Sequence, residues 1–176
     1  MYNRLRHTAF PPLSQKHHVM VIQGITTGED FERAMLGVSH STARSAVPRL
    51  FGARDFETCV DHVKQHQQCL GWNPRKPKTL LSKRVYTCVA SGLKALPKKD
   101  LRFFISVGTP LDEKYGVDCF FEFQGAIVTI DLTISERKGY PKADVVLTLE
   151  DLRFDLHYAM SSRISSLLSH RSRAMQ

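Results

Sequence analysis

Between Val117 and Ser135 the apolar residues alternate around Gln124-Gly125, a pattern that a tight β-hairpin satisfies. Two strands, Val117–Phe123 and Ala126–Ser135, are joined by two residues with Gly in the second place. That turn sets a register in which Phe123 faces Ala126, Phe121 faces Val128 and Asp118 faces Asp131. Val117, Cys119, Phe121 and Phe123 then share one face with Val128, Ile130, Leu132 and Ile134, and this continuously apolar face belongs to a core. Asp118 and Asp131 share the other face with Thr129, Thr133 and Ser135. Opposed residues have Cβ atoms about 4.5–5.5 Å apart, and like charges so placed destabilise a sheet. The chain has three ways to relieve the pair. One proton is shared and one pKa rises. Lys114, Lys138 or Lys142 neutralises it. Or a divalent cation, Mg2+ or Mn2+, binds between the two carboxylates, since Mg2+ takes hard oxygen ligands and few protein groups. A register slip would dissolve the pair altogether.

The flanking sequence changes period at about residue 100. Before it the pattern is helical. Thr27-Gly28-Glu29-Asp30 reads as a helix start ahead of Phe31, Met35 and Leu36, and Gly37 ends that helix. A second helix starts at Ser39 or Ser41 and stops before Pro48. A third is expected over Asp55–Leu70 and a fourth over Leu80–Leu96. After residue 100, Leu101–Val107, the two hairpin strands and Val145–Thr148 are rich in β-forming residues. Leu149–His170 returns to helical spacing. The expected fold is α+β or α/β: a small mixed sheet preceded by a basic helical region and closed by a C-terminal helix. Two regions follow from composition, 1–100 and 101–176.

The 176 residues carry a net charge of +8, unevenly spread. Residues 1–100 hold 16 Lys/Arg against 7 Asp/Glu, residues 101–150 hold 5 against 8, and residues 151–176 hold 4 against 2. A basic body around an acidic segment suits a polyanionic partner, and nucleic acid is the commonest in a cytosol. No run reaches the roughly 20 apolar residues of a membrane span. Residues 1–12 lack the apolar stretch of a secretory signal. Cys59, Cys69, Cys88 and Cys119 form no C-x-x-C pair, which fits reduced thiols in a cytoplasmic protein.

Gly116-Val117-Asp118, the hairpin, Ile130-Asp131-Leu132-Thr133 and then Lys138 or Lys142 resemble the core of the PD-(D/E)XK nuclease superfamily over about residues 101–150. The resemblance implies a restriction-endonuclease-like core. It implies Asp118 and Asp131 as Mg2+ ligands, with Glu113 or Asp112 as an extra acid. It also implies a lysine two residues after the second acid, positioning the attacking water. Thr133 stands where that lysine is expected, so Lys138 or Lys142 takes its role or the site is impaired. The implied activity is endonuclease hydrolysis of DNA phosphodiester bonds.

Leu36-Gly37-Val38-Ser39-His40-Ser41-Thr42-Ala43-Arg44, within residues 31–47, resembles the turn and second helix of a helix-turn-helix. In that motif His40, Ser41 and Arg44 would point toward DNA. The alternative is an ordinary helical hairpin. Arg75, Lys76 and Lys78 beside Trp72 suit a stacking and phosphate-binding loop; equally, Trp72 covers a core edge. Cys59, His62, His66 and Cys69 are zinc-type residues. One helix cannot turn all four toward one tetrahedral ion, and Cys59 is expected to pack with Phe56, Val60 and Val63.

The leading expectation is a Mg2+-dependent deoxyribonuclease with DNA as partner, and a homodimer as one mode of assembly. The alternatives are a non-catalytic DNA-binding protein with a degenerate nuclease-like fold, and a protein-interaction factor.

Overall fold

A computed structural model describes residues 24–49, 55–93, 98–134, 142–153 and 157–175. Among them are seven α-helices and a four-stranded mixed sheet, so the α+β expectation holds. The helices are α1 (Gly28–Leu36), α2 (His40–Ala46), α3 (Phe56–His66), α4 (Leu80–Gly92), α5 (Pro110–Tyr115), α6 (Leu149–Arg153) and α7 (His157–Ala174). The strands are β1 (Arg102–Ile105), β2 (Cys119–Phe123), β3 (Ala126–Thr133) and β4 (Val145–Thr148), in that spatial order.

The hairpin forms as its alternation dictates. Gln124 and Gly125 both have positive φ, 49° and 83°, the backbone of a tight two-residue turn. Phe123 pairs with Ala126, Phe121 with Val128 and Cys119 with Ile130. β1 pairs antiparallel with β2, and β4 runs parallel to β3 from Ile130↔Val145 to Thr133↔Thr148.

Strand alternation sends side chains to two separate cores. Cys119, Phe121, Phe123, Val128, Ile130 and Leu132 pack on one face against α1, α4 and α7 through Phe31, Met35, Leu81, Val85, Ile164 and Leu168. Phe104, Phe120 and Val117 pack with Cys59, Val60 and Val63 of α3 and Leu111 of α5. Val117 thus leaves the face expected for it, and Ile134 at the strand end is exposed. Cross-strand pairs stack on both faces: Phe103 on Phe121 at 4.4 Å, and Phe104 on Phe120 at 5.0 Å. Each such pair adds about 0.5–1.5 kcal/mol beyond burial. The larger core joins residues from both sides of position 100, so the two regions that differ in composition share one interior.

Element ends differ from the sequence reading for local reasons. The third helix is α3 from its Asp55 cap to His66, and then tightens to a 3-10 turn at Gln67–Leu70. There the Gln67 amide donates to Ile105 O (2.7 Å) and accepts from Ile105 N–H (2.9 Å). Trp72 is buried and donates to Phe103 O (2.7 Å), while Pro74 O accepts from Phe103 N–H (2.8 Å). Residues 67–74 therefore cover the open edge of β1. The C-terminal helical region is described as two spans, α6 and α7. One helix escaped the reading altogether. α5 is short, yet it has Pro at its first position, Asp112 and Glu113 in its first turn, and Gly116 in the left-handed C-terminal place.

Candidate metal and phosphate site

β2 begins at Cys119, and Asp118 stands just before it. Its N–H donates to Ile130 O at 2.9 Å, and its carboxylate Oδ2 accepts from Leu132 N–H at 2.6 Å. Asp118 thus bonds to the residues on either side of Asp131, and is not a regular rung opposite it. The side chain occupies the place where a neighbouring strand would offer a carbonyl. On its other side, Ser106 and Val107 N–H both donate to Asp118 O, at 2.9 and 3.1 Å. Two donors on one carbonyl mark a bulge, which turns the chain away and ends the pairing. The expected register is therefore right through Cys119 and is re-aimed at Asp118.

Asp118 and Asp131 are both buried, at 7% and 4% exposure. Burial pushes the Asp118 carboxyl from its ordinary 3.8 to about 9, helped by the charges of Asp112, Asp131 and Glu32; the Leu132 N–H opposes this. Among those charges Asp112 acts on Asp118 most strongly. Glu113, the next residue round α5, lies instead against Arg44 at 3.6 Å. Glu32, on α1, went unnoticed in the sequence. Its half-buried carboxyl is also raised, by desolvation first and then by Asp112, although it accepts the His40 N–H at 2.7 Å. Its one signal was an acid on the outer side of an amphipathic helix, which solvent-facing glutamates share.

Of the residues expected to read DNA, His40 and Arg44 reach across to α5, while Ser41 and Arg44 are themselves exposed. His40 Nδ1 lies 3.0 Å from Asp112 Oδ2, Arg44 faces Glu113, and Ser41 Oγ lies 3.2 Å from Ser39 Oγ. The cause is Gly108, at φ 72°. A Cβ there would sit 2.6 Å from Arg44 N and 2.9 Å from His40 O, so only glycine lets α2 dock on the 106–109 turn. Asp112 Oδ2 accepts the Gly108 N–H at 2.8 Å and secures that turn. Arg75, Lys76 and Lys78 are exposed, but Trp72 beside them is buried and offers no stacking surface.

Thr133 is 7% exposed and pairs with Thr148 in the parallel ladder. Lys138 lies outside the described residues. Lys142 is exposed, and its methylene stem lies over Gly116: a methyl on Gly116 would meet Lys142 Cδ at 3.7 Å. It therefore approaches the turn that delivers Asp118. Two residues on, Asp144 is locked in place. It accepts from Thr129 N–H (2.9 Å) and Oγ1 (3.0 Å) and from Arg171 (2.8 and 2.6 Å). Burial alone would raise the Asp144 carboxyl, but the Arg171 and Thr129 hydrogen bonds outweigh it and the net shift is downward.

Among the described residues no three His, Cys, Asp or Glu side chains converge into a ready-made metal cage. Cys59 is buried in the α3 core and Cys69 is exposed, while the His62 and His66 rings lie tilted at 39° with centroids 4.4 Å apart. The donor set at Asp118 and Asp131 does suit a hard cation that keeps most of its own water. A buried carboxyl whose pKa is raised by burial and by the charges of Asp112, Asp131 and Glu32 is the electrostatic condition that such an ion relieves. No described helix is long and apolar enough to cross a membrane. No protein-family model matches the chain, and comparisons with curated proteins and with solved structures give no match.

Proposed function

We propose that the chain is a Mg2+-dependent endonuclease of DNA, built on a diverged PD-(D/E)XK-like core. One observation carries this reading. Asp118 and Asp131 are both buried at the β2–β3 mouth, and burial first, then the charges of Asp112, Asp131 and Glu32, raises the Asp118 pKa to about 9. A buried carboxyl raised that far, mainly by desolvation and then by neighbouring acids, suits a site that meets a cation.

Asp118 and Asp131 would hold the ion, and Asp112 would supply the extra acid in place of Glu113. A bound Mg2+ stabilises charge on the phosphoryl oxygens and activates water. Bond-making between Asp118 and Leu132 N–H keeps the first carboxylate aimed across Asp131. The Asp144 clamp anchors the segment that bears Lys142, which takes the part that Thr133 cannot. The basic remainder of the chain neutralises the substrate backbone.

Incubation of the purified protein with plasmid and linear DNA, with Mg2+ or Mn2+ and with EDTA, tests the reading. Metal-dependent nicking that disappears in Asp131→Ala is expected. Cutting in EDTA, or full activity in Asp131→Ala, contradicts it. A second reading, a DNA-binding protein with a dead site, is favoured by Thr133 alone. Its signature is salt-sensitive DNA binding with no cleavage under either metal.

A further inference from the structure

We propose that the cavity between α2 and α5 is a phosphate subsite, which seats a backbone phosphate of the nucleic acid next to the acidic pole. This deepens the nuclease reading and rests on it.

The cavity has a volume of about 150 Å³. Val47, Pro48 and Pro110 form its apolar walls, and Arg44 and Arg49 are its cations. Among the described residues that line it, Glu113 is the one carboxylate, 3.6 Å from Arg44 Nε. Two arginines line the one recess, and guanidinium groups suit phosphate because each presents a planar fork of donors to an oxyanion. Arg44 already holds an anion there, the Glu113 carboxylate, at a distance longer than a good hydrogen bond. A phosphate between the two arginines would displace that weak intramolecular partner.

The location ties the recess to the acidic pole. Gly108 lines the cavity, and its N–H donates to Asp112 Oδ2 at 2.8 Å. Asp112 and Glu113 are neighbours on α5 and both meet α2, Asp112 through His40 Nδ1 at 3.0 Å and Glu113 through Arg44 Nε at 3.6 Å, while the charge of Asp112 also acts on Asp118. An acidic, cation-attracting pole and a basic recess thus stand side by side across one turn of helix. A polyanionic strand crossing both would have one phosphate over the acidic pole and a neighbour in the recess.

The test is binding of a fluorescent DNA duplex by the full chain in EDTA, where no cutting interferes, over a range of salt. Arg44→Glu and Arg49→Glu are each expected to weaken binding about tenfold and to lower the salt slope by about one. Glu113→Gln is expected to tighten binding about threefold by removing the competing carboxylate. Lys83→Glu, an exposed charge on α4, is the control and should have a smaller effect. Melting curves check folding, and Arg49, being exposed, carries the test if Arg44→Glu does not fold. Wild-type affinity and slope in Arg49→Glu overturn the proposal. So does an equal loss in Lys83→Glu, or weaker binding in Glu113→Gln. Inorganic phosphate that shifts the Arg44 and Arg49 resonances while the duplex does not bind would mean a free-phosphate site, and overturns the backbone assignment. Failure here leaves metal-dependent cutting untouched. Failure of the nuclease reading shows instead as absent cutting with the Arg49 effect intact.

Discussion

Asp144 and Asp118 both accept a backbone N–H from β3, Asp144 from Thr129 beside β4 and Asp118 from Leu132 at the mouth of β2. Their surroundings are opposite. Asp144 has a bidentate arginine and a threonine hydroxyl, and its pKa is lowered. Asp118 is buried without such a clamp, and burial first, then the charge of Asp112, raises its pKa to about 9. A carboxylate whose charge is matched holds a structure together. One whose charge is opposed destabilises the fold unless something else arrives. The first anchors the β3–β4 junction, and the second marks the place where a cation and its ligand are expected. Lys142 links the two, since it is two residues from Asp144 and lies over Gly116, two residues from Asp118.

The largest effect expected from this contrast is at the matched pole. Asp144→Ala leaves Arg171 without its partner and should cost about 3 kcal/mol, read by urea denaturation, part of the buried-pair penalty being relieved by solvent. A loss below about 0.5 kcal/mol, the ordinary effect of a surface substitution, would remove the distinction between the poles.

The opposed pole should respond with the other sign. Folded Asp118 keeps its proton up to about pH 9, whereas the unfolded chain releases it near 3.8. The folded state binds the extra proton between those values, so this group's contribution to stability falls as pH rises from about 4 to about 9. Asp118→Asn keeps an acceptor for Leu132 N–H and cannot ionise. In EDTA at pH 8 it should be more stable than wild type by about 1–2 kcal/mol, the cost of a badly placed buried group. The advantage should shrink toward pH 4. For Asp144 the window is reversed: its contribution is present above the ordinary carboxylate range and is lost as pH falls through its lowered pKa. Thermal melts at several pH values separate the two.

A smaller effect is expected at the link. Lys142→Ala should lower cleavage about tenfold by misplacing the reacting groups, with melting unchanged because the side chain is exposed. Equal activity would transfer the role away from Lys142. The smallest lies at the far end of the hairpin. Gln124 adopts φ 49°, which Asn tolerates better, so Gln124→Asn should add a few tenths of a kcal/mol. It should leave the pH behaviour of both poles unchanged.

The hairpin was legible in the sequence because a two-residue turn leaves little choice of register, and because slipping one residue would expose Phe121 and Ile130. Asp118 and Asp131 were brought together on that logic. The bulge was not legible, since it depends on Ser106 and Val107, which reach Asp118 only after β1 has paired. Glu32 and Asp112 come to the pole by tertiary packing of α1 and α5, and neither has a local signal. α5 itself has caps and charges readable after the fact, but six residues show no periodicity. Asp144 and Arg171 are 27 positions apart and meet only when α7 crosses the sheet. The Gly-Val-Ser segment correctly marked two helices around Gly37. It did not reveal that Gly108 draws α2 inward, which turns His40 and Arg44 onto α5.

Calorimetric titration of the metal-free protein with Mn2+ near pH 7, in buffers of different ionisation enthalpy, tests the opposed pole most directly. One ion per chain with release of about one proton is expected, because the ion replaces the proton that Asp118 holds. The release should vanish in Asp118→Asn. Absence of binding, or binding with no proton released, would contradict the assignment of Asp118 and Asp131 as a cation site.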